Sequence, residues 1–137
     1  MGQNQLLLIV LGMIIVGVTI AVAILLVQEN AVTANRDAMA ADLLTIAAKS
    51  KQYFNTPATL AGGGHSFVGL TADASGMSKL ASTNFSANGN GTYTIKTAGT
   101  ATGVVFQGVG NVATAAGSFP TLTCSVTQTG NTIAIEN

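Results

Sequence analysis

The chain has 137 residues, the length of one ordinary domain, with only 7% charged residues and a formal net charge of zero. Its five basic residues (Arg36, Lys49, Lys51, Lys79, Lys96) are scattered and matched by five acidic ones, which argues against a nucleic-acid partner. Cys124 is the only cysteine, which rules out an internal disulfide or a cysteine-rich metal site. A surface built mostly from Thr, Ser, Asn, Gln and Gly repels its neighbours weakly, a property suited to packing against copies of itself.

Residues 6–27 form an uncharged run in which sixteen of 22 residues are Leu, Ile or Val. As a helix the run spans about 33 Å, close to the thickness of a bilayer core. Insertion scales credit its aliphatic residues with on the order of 6 kcal/mol toward a membrane. A cleaved secretory signal fits poorly. No basic residue precedes the run, the run is too long, and a cut after Ala21-Val22-Ala23 would leave Ile24 to Val27 exposed.

From Gln28 to about Phe54 there is no Gly or Pro, so the helix is predicted to continue. Val32, Met39, Leu43, Ile46 and Tyr53 or Phe54 recur at helical steps and make one apolar stripe. Asn30, Arg36, Asp37, Lys49 and Lys51 fall largely off it. Asn55-Thr56-Pro57 supplies the stop. Three segments are therefore expected: 1–28, apolar all round; 29–54, the amphipathic half of the same helix; and 55–137, a β-rich head. The amphipathic half is expected to pack on that head, since no strict heptad lasts three repeats.

Ala61-Gly62-Gly63-Gly64 reads as a flexible connector, and Ser66 to Leu70 as a strand or part of a loop. Strands are predicted at Tyr93–Thr97, Gly103–Gln107, Thr121–Thr127 and Thr132–Ile135, the last two as a hairpin. Tyr93, Ile95, Val104, Phe106, Leu122, Cys124, Val126, Ile133 and Ile135 would share the inward face. The segments 73–90 and 109–120 read as long loops. The predicted fold is α+β, a long N-terminal helix covering one face of an antiparallel sheet of about four strands.

No catalytic constellation is found, and no cofactor motif. His65 is the only histidine, and the glycine-rich piece before it lacks the lysine and the strand-then-helix setting of a phosphate loop. Asn84-Phe85-Ser86 and Asn90-Gly91-Thr92 match the N-glycosylation acceptor spacing, a weak signal in a chain this rich in Asn, Ser and Thr.

This order of elements resembles the type IV pilin family, and Met1-Gly2-Gln3-Asn4-Gln5-Leu6-Leu7-Leu8 is similar to the start of a mature pilin. The resemblance implies that a prepilin peptidase removes a short leader and that Met1 becomes the methylated terminal residue. An alternative treats Met1-Gly2 as the leader, which places Leu7 at the fifth mature position. The family usually carries a glutamate at that fifth position. This chain has Gln5, which accepts a hydrogen bond from a neighbouring amine without cancelling its charge. The family's C-terminal disulfide loop is lacking as well.

The resemblance further implies a subunit held in the inner membrane, then built by pilus assembly machinery into an extracellular homo-oligomeric helical filament. Attachment, motility and DNA uptake are roles within the family. The expected assembly residues are Met1, Gln5, Leu6, Leu7, Leu8, Gly12, Gly17 and Ile20, the glycines permitting close backbone approach. Rival readings are a minor pilin or secretion-system pseudopilin, favoured by Gln5, and a single-pass anchored binding protein that never polymerises.

Overall fold

One continuous α-helix, α1, runs from Gly2 to Asn55, 54 residues or about 80 Å. The structure is a computed structural model that describes residues 2–80 and 83–136, and only the backbone at Thr83 and Asn84. Along α1 burial begins abruptly. Every residue from Gly2 to Val27 is exposed, and the first buried one is Val32. Asn35, Met39, Leu43, Ile46, Ala47 and Ser50 follow at helical spacing. The stripe predicted from the sequence is thus the face that meets the head, with Tyr53 and Phe54 packed at its end.

The helix stops at Pro57, and the following segment folds back to close its open end. The Gly63 amide donates to Tyr53 O at 2.8 Å, His65 to Phe54 O at 2.8 Å, and Gly64 to Thr56 O at 2.9 Å. These bonds satisfy carbonyls that a helix C-terminus leaves without partners. The stretch expected to be a loose connector is therefore a cap. A Cβ at Gly63 would lie 1.9 Å from Ser66 O, so only glycine fits there.

Four strands follow: β1 (Gly91–Thr97), β2 (Gly103–Gly110), β3 (Thr121–Thr127) and β4 (Asn131–Ile135). They form an antiparallel meander in sequence order. In-register pairs such as Ile95–Phe106, Phe106–Cys124 and Cys124–Ile133 set the inward row. Since α1 lies over β2 and β3, the core forms there from Met39, Leu43, Ile46, Phe106, Leu122, Cys124 and Val126.

Three expectations need correction. Ile135 pairs with Leu122 on the inward face but is 64% exposed, and Ile133 is half-buried, because the helix does not reach across to β4. β2 extends to Gly110, shortening the predicted loop. The predicted loop 73–90 holds two short helices, α2 (Ala74–Leu80) and α3 (Thr83–Ser86). Asp73 starts α2 as an N-cap, its Oδ1 accepting from the Gly76 amide at 2.9 Å and from the Thr71 and Ser75 hydroxyls at 2.6 Å. These bonds hold the Asp73 carboxyl at about 2. Met77 and Leu80 then bury against the core, as do Phe67 and Leu70 of the preceding loop.

Candidate assembly surface

The apolar run forms a bare helix. Leu6, Leu7 and Leu8 point about 100° apart, so they lie on three sides, and all are more than 60% exposed. Ile20 is 55% exposed. Gln5 is exposed, and a Cβ at Gly12 or Gly17 would meet nothing within 4 Å. Met1 lies outside the described residues. The run's one hydroxyl, on Thr19, donates back to Ile15 O at 2.8 Å, so it presents no unsatisfied donor to an apolar surrounding.

By length and composition this helix can cross a membrane. Completing the burial of each Leu, Ile or Val is worth roughly 1 kcal/mol, about half the full side-chain value. Sixteen such residues make a contiguous patch far beyond what a soluble monomer exposes. A patch of that size marks a membrane or protein interaction surface.

A polar collar joins the head to this helix beside the apolar core. Asp42 Oδ2 accepts from Tyr93 OH at 2.6 Å and from the Asn88 and Asn90 side-chain amides at 2.9 Å each. About two turns earlier on the same helix, Asn35 Nδ2 donates to Asn90 O at 2.8 Å. Burial pushes the Asp42 carboxyl up, but the bonds from Asn90, Tyr93 and Asn88 outweigh it and hold the group below its ordinary value. Burial, reinforced by the Asp42 carboxylate, drives the Tyr93 hydroxyl well above its ordinary value, so it stays a donor. The collar was not foreseen from the sequence. Its one clue is an acid at Asp42 immediately before Leu43, where the apolar stripe would be flanked by alanine.

Asn90 Nδ2, the atom an N-linked glycan would occupy, is the donor to Asp42. The side chain of Asn84 lies outside the described residues. His65 stacks edge-on against Phe54 at 5.5 Å, and Cys124 is buried in the core, where burial raises its thiol. Among the described residues, no three His, Cys, Asp or Glu side chains come together as a metal site would require.

Comparison with protein-family models, with curated proteins and with solved structures gave no significant match.

Proposed function

We propose that this chain is a structural subunit of a type IV pilus-like filament. It is anchored in the inner membrane by residues 6–27 and is later packed with identical copies into an extracellular helical polymer. The observation that carries the reading is the bare apolar half of α1, continuous with a half that is firmly bound to its own head. A simple anchor needs no rigid continuation. A polymerisation helix does, because the head must be held at a fixed angle for one subunit's contacts to repeat in the next.

In this reading the apolar helices form a dry filament core and the heads its shell. Pilus assembly machinery and a prepilin peptidase are the implied partners. Gln5 favours a second reading, a minor pilin or pseudopilin. A filament core that buries a terminal amine is better served by a glutamate, and a subunit used at low copy tolerates the amide.

Negative-stain microscopy of sheared surface material, with mass spectrometry of its subunit, separates the two. Filaments built chiefly of this chain support the first reading. Filaments in which the chain is a trace component support the second. Recovery of the chain only from the membrane, with no filaments, would refute the first reading.

A further inference from the structure

We infer that the β2–β3 loop, residues 111–119, is a membrane-resting foot, seated in the phospholipid headgroup layer while the chain is anchored. The inference rests on the membrane-anchored stage of the proposed function and concerns a part of the head that the proposal does not use.

Three observations place the foot. The first is height. Thr114 to Ala116 lie against Glu29, Val32, Thr33 and Arg36 of α1, across a cleft of about 410 Å³. Val32 is five residues beyond Val27, the end of the apolar run, or about 7.5 Å along the helix. The headgroup layer is roughly 5–7 Å deep on each side of the hydrocarbon. The helix side of the cleft, Glu29 to Arg36, thus runs from about 3 to about 13 Å beyond Val27, so its lower edge falls within that layer. The tilt of about 20° usual for spanning helices lowers the loop further on its own side.

The second observation is composition. Asn111 to Pro120 (Asn-Val-Ala-Thr-Ala-Ala-Gly-Ser-Phe-Pro) carries no charge, and the chain has none between residues 97 and 135. Ala115, Ala116 and Gly117 are exposed, and Phe119 is 49% exposed. An aromatic ring beside small uncharged residues suits the boundary between water and lipid.

The third observation is that the loop is held in shape. The Thr114 amide donates to Ser118 O at 2.7 Å, Gly117 to Thr114 O at 2.8 Å, and Gly110 to Pro120 O at 2.8 Å. Asn111 Nδ2 binds Asn88 O at 3.1 Å, which ties the foot to the collar. The charges facing the cleft are Glu29 and Arg36, one of each sign, so the foot's attraction to lipid is apolar and not electrostatic. It should act equally on zwitterionic and anionic bilayers.

The chain contains no tryptophan, so single substitutions report cleanly. Four full-length variants, Ala116→Trp, Phe119→Trp, Leu60→Trp and Ile20→Trp, are placed one copy per nanodisc. The discs are made of phosphatidylcholine, or of its mixture with phosphatidylglycerol, with chains brominated near the headgroup end. Blue-shifted, quenched emission is expected at positions 116 and 119 in both compositions. Leu60→Trp, at the far end of the head, should emit as in water.

Quenching at Ile20→Trp with solvent-like emission at 116 and 119 would overturn the foot while leaving the anchor intact. No quenching at Ile20→Trp would remove the anchored reading and the foot together. Dehydration at 116 and 119 only in discs holding several copies would give the surface to a second copy of the chain and overturn the lipid assignment.

Discussion

Tyr93, on the inward face of β1, donates its hydroxyl to the Asp42 carboxylate of α1 at 2.6 Å. The two residues are 51 positions apart in sequence, so this bond is a long-range clamp between sheet and helix. Asn88 and Asn90 share the same acceptor oxygen, which makes Asp42 the point where the helix, the approach to β1 and β1 itself are joined. A head clamped in this way transmits any force on the sheet directly to the helix.

Removing the shared acceptor should cost more than removing any one donor. Asp42→Ala leaves three partly buried donors without a partner, and a destabilisation of about 1–3 kcal/mol is expected. Tyr93→Phe should cost about 1 kcal/mol, and the double variant less than the sum. Thermal melts of the full-length chain in detergent, arranged as a double-mutant cycle, read this directly. Strict additivity would mean that Tyr93 and Asp42 do not interact.

The same clamp sets a pH dependence. The folded Asp42 carboxyl lies below its ordinary value of 3.8, so its contribution is complete above that value and is lost as pH falls through the folded one. Asp73, held at about 2, works in the same direction. Stability of the wild-type head should therefore be flat from neutral pH down to about 5, then fall below about 4. Asp42→Asn should shallow that fall, and an unchanged acid limb in this variant would show that Asp42 does not carry it.

The helix cap offers a paired test of backbone necessity. Gly63→Ala would drive a methyl group against Ser66 O and Tyr53 Cε1, and should cost about 1–3 kcal/mol. Gly130→Ala, where nothing lies within 4 Å, should change stability by less than about 1 kcal/mol. Comparable melting shifts for both would mean that the cap is not the constraint described.

Cys124 gives a probe of the core that needs no substitution. Its thiol is buried and raised by that burial, so the reactive thiolate is scarce and shielded. Alkylation at neutral pH should be negligible until denaturant unfolds the head, then rapid. Ready labelling of the native chain would place β3 nearer the surface than the structure does.

Periodicity made α1 and the strands legible, because Val32, Met39, Leu43 and Ile46 repeat at helical steps and Leu122, Cys124 and Val126 alternate. It failed where glycine masked a pattern. Asp73 is an ordinary N-cap, but Gly76 in the first turn of α2 lowers helix propensity and hides Met77 and Leu80. That glycine is there because a Cβ would lie 2.0 Å from Thr71 O, a tertiary constraint that a local reading does not contain. Ile135 failed for the opposite reason. Its alternation is sound, but whether an inward side chain is covered depends on how far the helix reaches over the sheet. The exposed apolar run was legible throughout, since uncharged length is a property of sequence alone. The Asp42 collar was not, because Asn88, Asn90 and Tyr93 reach Asp42 across sequence gaps of 46, 48 and 51 residues, and a local pattern does not register partners so far apart.

The bare helix gives the last and most direct test. A carboxylate at Ile20 sits seven residues inside the end of the apolar run, where placing Asp costs up to about 2.5–3.5 kcal/mol, the value for a helix centre on insertion scales. In a filament every subunit would bear that cost, and the like charges of neighbouring copies would repel across a dry core. Ile20→Asp should therefore abolish filaments or reduce them by orders of magnitude. The head should be untouched, because its core begins at Val32, twelve residues further on. Its melting in detergent should match the wild type, which separates failed assembly from failed folding. A membrane pool of folded variant with no filaments would support a helical core. Normal filaments bearing the charge, seen by microscopy and verified by mass spectrometry, would place the polymer's contacts in the heads and refute it.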